Sequence, residues 1–422
     1  MKKIVVLLLL TFLFTGCSTV KRRIVKKIDT QINSDQYKNQ FTGFLVIDPV
    51  SRDTIYNFNS TRYFTPASNT KIFTLFASLN LLPDSIPTLK YIIENDTLFV
   101  QGTGDPTLLH PYLNDSTALH FMDNYENIAF YPNNFKEDKF GPGWSWDDYH
   151  WYYSPERSGF PLYGNVLIIK NTDSFEVEPK YFKDSIVSMD YPINRELQKN
   201  VFYFNKSKKD TIEIPFRVDS STTKNLMEKV LKKKIHITHS FPEGQQQILY
   251  GMPSDSVYKR MMEESDNFLA EQLLILGSST LSDTLNSHKV REYVLDNYLM
   301  DLRQPPRWVD GSGLSRYNLF TPESIIHVLH KMYHEIPKER LFLFFPAGGE
   351  SGTIEDWYPG DPNPYIYAKT GSLGNNHNLS GYLITKSGKT VIFSFMNNHF
   401  MESSSEIKKR MQSIFENIRD NY

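Results

Sequence analysis

Three short groups of residues could do chemistry together: Ser68-Asn69-Thr70-Lys71, then Ser265-Asp266-Asn267, then Lys369-Thr370-Gly371. A serine hydroxyl is a weak nucleophile until a neighbouring base takes its proton. Residues three apart on a helix share a face, so Lys71 can bring its amine within reach of the Ser68 hydroxyl. Burial and a helix N-terminus both disfavour a cation, and push that amine toward the neutral form that accepts a proton. The chemistry on offer is acyl transfer through a serine whose base is a lysine rather than a histidine.

Context selects these groups over their look-alikes. Ser-x-x-Lys recurs from Ser18 to Lys21, Ser221 to Lys224, Ser256 to Lys259 and Ser405 to Lys408. Only Ser68 follows a helix-entry signal, Thr65-Pro66-Ala67, and leads into the apolar run Ile72, Phe73, Leu75, Phe76, Ala77. The spacing predicts a buried helix with Ser68 at its start. Lys386-Ser387-Gly388 imitates the third group but lies between two apolar runs, and reads as a hairpin turn. Lys369-Thr370-Gly371 instead ends the segment Tyr365-Ile366-Tyr367-Ala368, which reads as a strand. Gly371 there lets a substrate backbone pair along the strand edge, while Lys369, Thr370 and Ser372 offer a charge and hydroxyls to a terminal carboxylate.

The elements that must position these groups come from opposite ends of the sequence. Phe41 to Ile47 and Thr54 to Phe58 read as a hairpin just before the nucleophile helix. Tyr365 to Gly371, Leu379 to Thr385 and Thr390 to Asn397 read as three further strands of the same antiparallel sheet. Ile407, Met411, Ile414, Phe415 and Ile418, at helical spacing after Ser403, predict a terminal helix packed on it. The long stretch between the first and second groups is strand-like and rich in turns. The expected organisation is a catalytic domain in two parts, 41–86 and 244–422, interrupted by a mainly β accessory domain at 87–243.

At 422 residues, 40% hydrophobic and 22% charged, with a net charge of −2, the chain can bury a substantial core and has no basic excess for nucleic acid. Lys2 and Lys3 precede the apolar stretch Ile4 to Phe14, which is too short to span a bilayer and reads as an export signal over residues 1–16. Cys17, the only cysteine, excludes an intramolecular disulfide, and its position after Thr15-Gly16 resembles the lipobox of bacterial lipoproteins. The expectation is a lipid anchor on Cys17 and a polar tether over 17–40, facing the periplasm. Its Lys21, Arg22, Arg23, Lys26 and Lys27 are suited to anionic headgroups or to plain solvation.

With these residues in view, the chain resembles the penicillin-binding-protein-4 type of D-alanyl-D-alanine carboxypeptidase and endopeptidase over most of its length. The likeness extends to Gly102-Thr103-Gly104-Asp105-Pro106-Thr107-Leu108, Pro142-Gly143-Trp144-Ser145-Trp146-Asp147-Asp148, Asp310-Gly311-Ser312-Gly313-Leu314-Ser315-Arg316 and Ala368-Lys369-Thr370-Gly371-Ser372-Leu373. It implies an α+β penicillin-binding/β-lactamase-like fold, with a five-stranded antiparallel sheet flanked by helices. It implies Ser68 as the nucleophile toward peptidoglycan stem peptides and cross-links, Lys71 as acylation base and Ser265 as proton relay with Lys369 nearby. Asn267 would hold the substrate amide, and the N–H groups of Ser68 and Ser372 would form the oxyanion hole. β-Lactams would acylate Ser68 and leave slowly. The resemblance also implies a pocket for the zwitterionic end of diaminopimelate, with Asp147 for the ammonium, Arg316 for the carboxylate, and Trp144, Tyr152, Leu314 and Leu373 as walls. Ser372 stands where the family usually has threonine, and Ser351 where it commonly has aspartate.

Three rival readings fit the residues less well. A class A β-lactamase needs closer first and second groups and a deacylating glutamate loop that this sequence does not offer. A metal enzyme built on His327, His330 and His334, or on His236 and His239, lacks His-Glu-x-x-His, and these side chains read as solvated histidines; no cofactor is expected. The alternative of another class is a wall-binding scaffold lipoprotein of the same fold with little turnover, against which the intact reactive set argues.

Overall fold

The structure, a computed structural model, describes residues 21–422. Cys17 and the export signal lie outside the described residues. One antiparallel sheet organises the catalytic part, with strands in the order Ile366–Leu373, Asn376–Ile384, Thr390–Asn398, Phe41–Ile47, Thr54–Phe58. Phe41 is registered against Asn398 and Ile47 against Ile392, so the first strand is closed by the last. The alternation of each strand sorts its side chains onto two faces. Leu45, Tyr382 and Ile392 pack with the helices Lys71–Leu81, Asn267–Leu281 and Pro322–Glu335. Phe44, Val46, Leu379, Phe393 and Phe395 pack with Ile407, Met411, Ile414, Phe415 and Ile418 of the terminal helix Ser404–Asn421. Lys386-Ser387-Gly388 is the turn expected, with Gly388 at φ 83° and its N–H on the Thr385 carbonyl at 2.9 Å.

The polar tether expected over 17–40 is not what residues 21–32 form. They are helical, and Ile24, Ile28 and Ile32 are buried against the same face as the terminal helix. Gln31 donates to Ser413 Oγ at 3.0 Å, and Tyr56 donates its hydroxyl to Asp29 at 2.8 Å. A single apolar residue every four positions suffices for a helix that needs only one thin stripe, while the lysines and arginines between them stay outside.

Between the nucleophile helix and the second reactive group the chain builds a separate five-stranded sheet, in the order Ile235–Ile237, Asn127–Tyr131, Thr97–Gly102, Ser85–Glu94, Gln247–Pro253. Ser85–Glu94 and Gln247–Pro253, its first and last strands along the chain, pair with each other, so it reaches beyond the expected 87–243 at both ends. A three-stranded sheet, Asp210–Pro215, Val166–Asn171, Phe175–Glu178, packs into the same core. Two buried side chains join this region to the active-site elements. Gln272, on the helix Asn267–Leu281, donates to the carbonyls of Gly104 at 2.9 Å and Ser158 at 2.8 Å. Arg195 donates to the carbonyls of Pro215 and Glu196, each at 2.7 Å, and to that of Tyr149 at 3.4 Å, holding the aromatic segment around Trp146–His150.

Candidate active site

Ser68 lies on the single 3-10 turn Ala67–Thr70, and Lys71 opens the helix behind it. The turn is gripped from two sides by glycines. A Cβ on Gly313 would lie 1.9 Å from the Ala67 carbonyl oxygen, and one on Gly371 would lie 2.3 Å from that of Pro66. Only hydrogen at these positions allows such approach. Asn69 ties the turn to the edge strand, donating to the Lys369 carbonyl at 2.8 Å and accepting from Ser380 at 2.6 Å.

The buried Lys71 amine makes three contacts: Ser68 Oγ at 3.0 Å, Asn267 Oδ1 at 2.7 Å and the Ser312 carbonyl at 2.8 Å. Two of these partners can only accept. A neutral amine therefore gives its two hydrogens to Asn267 and Ser312, and its lone pair is left facing the Ser68 hydroxyl. Burial lowers the Lys71 pKa to about 8, against the opposing pull of Asp266, Asp310 and Glu271. Lys369 is held well below its ordinary value by burial and by the nearby Lys71. Both lysines thus favour loss of a proton near neutral pH more than free lysines do.

The helix Asn267–Leu281 begins with Asp266 accepting from the Leu269 N–H at 3.0 Å, which directs Asn267 inward. Ser265, just before this cap, has φ 57°, a left-handed conformation that a serine adopts at a cost of about 1 kcal/mol. Asn267 also donates to the Tyr153 carbonyl at 2.9 Å, leaving one of its two amide hydrogens for a substrate. Four residues further along the same helix, Glu271 accepts from the Ser312 N–H at 2.8 Å and pairs with Arg157 at 3.4 Å. Asp310 accepts from the N–H groups of Gly313 at 2.8 Å and Ser315 at 2.6 Å, shaping the loop that presents the Ser312 carbonyl. The sequence reading missed Arg157 and Glu271; the four-residue offset from Asn267 was the one available signal.

Ile366–Leu373 is an edge strand, as required for pairing with an added peptide. Pro346 and Gly348 cover only its first part, with Ala368 N–H on the Pro346 carbonyl at 3.0 Å and Gly348 N–H on the Ile366 carbonyl at 2.9 Å. Beyond that, Thr370 bonds Thr353 at 2.7 Å and Ser372 bonds His377 Nδ1 at 2.9 Å. Burial lowers the His377 pKa to about 3, so the ring partnering Ser372 is neutral. Ser351 accepts from the Ala347 N–H at 3.1 Å and so closes a local turn.

A cavity of about 710 Å³ opens in front of Ser68, lined among others by Ser265, Asn267, Ser372, Tyr152, Leu314, Arg316 and Leu373. Two residues expected in its wall are placed otherwise. Trp144 donates to Asp310 at 3.0 Å behind the loop, and Asp147 faces solvent while accepting from Ser145 at 2.5 Å. The 3-10 helix Trp146–His150 turns the next residue, Asp148, into the cavity, where it accepts from the Tyr153 hydroxyl at 2.9 Å. Arg316 lies across the cavity mouth, reaching the Gly374 carbonyl at 3.5 Å.

This fold and site define a serine acyl-transfer protein, and comparison with known proteins gives its family. The chain is similar along its length to D-alanyl-D-alanine carboxypeptidase DacB of Haemophilus influenzae, with 21% identity over 90% of each chain. The crystal structure of penicillin binding protein 4 from the same organism superposes with a TM-score of 0.70 at 20% identity, covering 93% of this chain and 98% of that one. A predatory endopeptidase of Bdellovibrio bacteriovorus, solved with an immunity protein, gives 0.51 at 16% identity over 90% and 93%. The chain belongs to the D-Ala-D-Ala carboxypeptidase 3 (S13) family, whose model matches residues 24–195 and 223–418. Its fold is α+β with a five-stranded antiparallel sheet, and its activity is that of a serine-type D-Ala-D-Ala peptidase.

Proposed function

We propose that the neutral Lys71 amine takes the Ser68 proton as Oγ bonds to the carbonyl carbon of the penultimate D-alanine of a peptidoglycan stem. The C–N bond then breaks, and Ser265, with Lys369 nearby, passes a proton to the leaving amine. Water adds to the acyl-enzyme in the reverse sense and frees Ser68. The remaining Asn267 amide hydrogen holds the substrate carbonyl, the open part of the edge strand pairs with its backbone, and the N–H groups of Ser68 and Ser372 bind the oxyanion. The observation that carries this reading is the Lys71 Nζ 3.0 Å from Ser68 Oγ, with Asn267 Oδ1 and the Ser312 carbonyl placed to take both hydrogens of the neutral amine.

The cavity supports a refinement of substrate choice, in which Asp148 rather than Asp147 pairs with the ammonium of diaminopimelate and Arg316 grips its carboxylate. The leaving group is then either D-alanine or the cross-linked diaminopimelate amine. Among the described residues no helix is long and apolar enough to cross a membrane, and Cys17 acylation in the cell envelope is the proposed means of attachment.

The test is intact-mass measurement after incubation with a penicillin, followed by assay on purified peptidoglycan fragments. A covalent adduct on Ser68 that is lost in Ser68→Ala, with D-alanine or cross-link release, is the expected result. No adduct and no release would leave a silent wall-binding relative. Arg316→Ala should weaken diaminopimelate substrates more than simple D-Ala-D-Ala analogues, and equal losses on both would sink the pocket assignment.

A further inference from the structure

Far from the reactive serine in sequence, the helix Pro322–Glu335 turns two histidines toward the bend after the first strand. His330 Nε2 and His334 Nε2 are 3.2 Å apart, and His334 Nε2 is 3.2 Å from the Pro49 carbonyl oxygen. The same carbonyl is within hydrogen-bonding reach of His330. Three electron-pair donors therefore face one point.

Protons satisfy this arrangement in only one way. A carbonyl never donates, and each imidazole places at most one hydrogen on Nε2. With one such hydrogen between the two rings, the other nitrogen's lone pair is turned on the carbonyl; with two, both N–H groups go to the carbonyl's two lone pairs and the rings share no bond. A cation satisfies all three donors at once. Metal–nitrogen bonds of 2.0–2.1 Å at a tetrahedral angle set two ligand nitrogens roughly 3.3 Å apart, close to the separation here.

We propose that His330, His334 and the Pro49 carbonyl form a binding site for a divalent transition-metal ion of the zinc or copper class. Imidazole pairs suit these ions, and copper binds such donors more tightly than zinc. No three His, Cys, Asp or Glu side chains converge on a metal position among the described residues, so the site is a two-imidazole clip completed by the carbonyl and by water. It borders an open cavity of about 660 Å³ with room for that water. Arg52, Arg303 and Lys331 also line the cavity and oppose a cation, while Asp301, Glu323 and Glu335 offset them. His334 is exposed like His236 and His239, and His330 is half-buried; what sets this pair apart is the 3.2 Å approach of its ring nitrogens. A bound ion would clip the hairpin turn to the helix and stabilise the fold.

The experiment uses the full chain in detergent. One equivalent of Cu²⁺ should give an electron paramagnetic resonance spectrum with coupling to two imidazole nitrogens. Zn²⁺ titration by calorimetry should show one site, and Zn²⁺ should raise the melting temperature. The double variant His330→Gln/His334→Gln should lose the nitrogen coupling and the thermal shift, and weaken Zn²⁺ binding by at least about tenfold. Identical titrations of the two proteins, or a wild-type spectrum without two-nitrogen coupling, would overturn the proposal.

Discussion

Acylation of Ser68 should follow the protonation of Lys71, because only the neutral amine can take the serine proton. With the Lys71 pKa lowered to about 8, the neutral fraction is roughly 1% at pH 6, 9% at pH 7, 50% at pH 8 and 91% at pH 9. The second-order rate of acylation by a chromogenic cephalosporin should therefore rise about tenfold per pH unit below the midpoint and level off above it. Asp266→Asn supplies the second arm. Asp266 leads the charges that raise the Lys71 pKa, so neutralising it should displace the profile to lower pH. Asparagine caps a helix as aspartate does, so the Leu269 contact survives the change. A displacement of one unit, about 1.4 kcal/mol, would raise the neutral fraction at pH 7 from roughly 9% to roughly 50%, a gain of about fivefold. A rate that is flat from pH 6 to pH 9, or an Asp266→Asn profile moved upward, would refute lysine as the base.

The same lysine has a stability signature. Its folded pKa of about 8 lies below the ordinary lysine value of 10.5, so the unfolded chain binds the extra proton between those values. Wild type should gain on the order of 3 kcal/mol as pH rises through that window, and Lys71→Met should not, as read by urea unfolding at several pH values. Gly313→Ala forces a Cβ to 1.9 Å from the Ala67 oxygen at a φ of 85°; it should cost about 2 kcal/mol or more and abolish the penicillin adduct. Glu271→Ala takes from buried Arg157 its nearer carboxylate, leaving Glu137 at 3.9 Å, and strips the Ser312 N–H of its acceptor; it should destabilise by about 1–3 kcal/mol in denaturant titration, with Glu271→Gln recovering part through the Ser312 contact.

What could be read in advance follows the range of each interaction. Ser68 and Lys71 sit on one local turn, and the hairpin and terminal helix have strong periodicities, so their placement followed from neighbours alone. The helix over 21–32 escaped because its stripe is only Ile24, Ile28 and Ile32 among many charges, and its partner is the opposite end of the chain. Asp147 and Asp148 are adjacent, and composition cannot say which one a 3-10 turn carries into the cavity. Arg157 and Glu271 are far apart in sequence, and their pairing exists only once the inserted region has docked.

The closure of the first strand by the last has a consequence for how the enzyme comes into being. Phe41–Ile47 has its main-chain partner in Thr390–Asn398, and Lys369, which completes the site, arrives nearly as late. During synthesis the opening hairpin must wait, one edge unpaired, until Thr390–Asn398 has been made. Such non-local pairing slows folding and prolongs exposure to wrong partners. It also acts as a completion check: a chain interrupted before Thr390 carries Ser68 and Lys71 but no closed sheet to hold them, so unfinished copies cannot cut the wall.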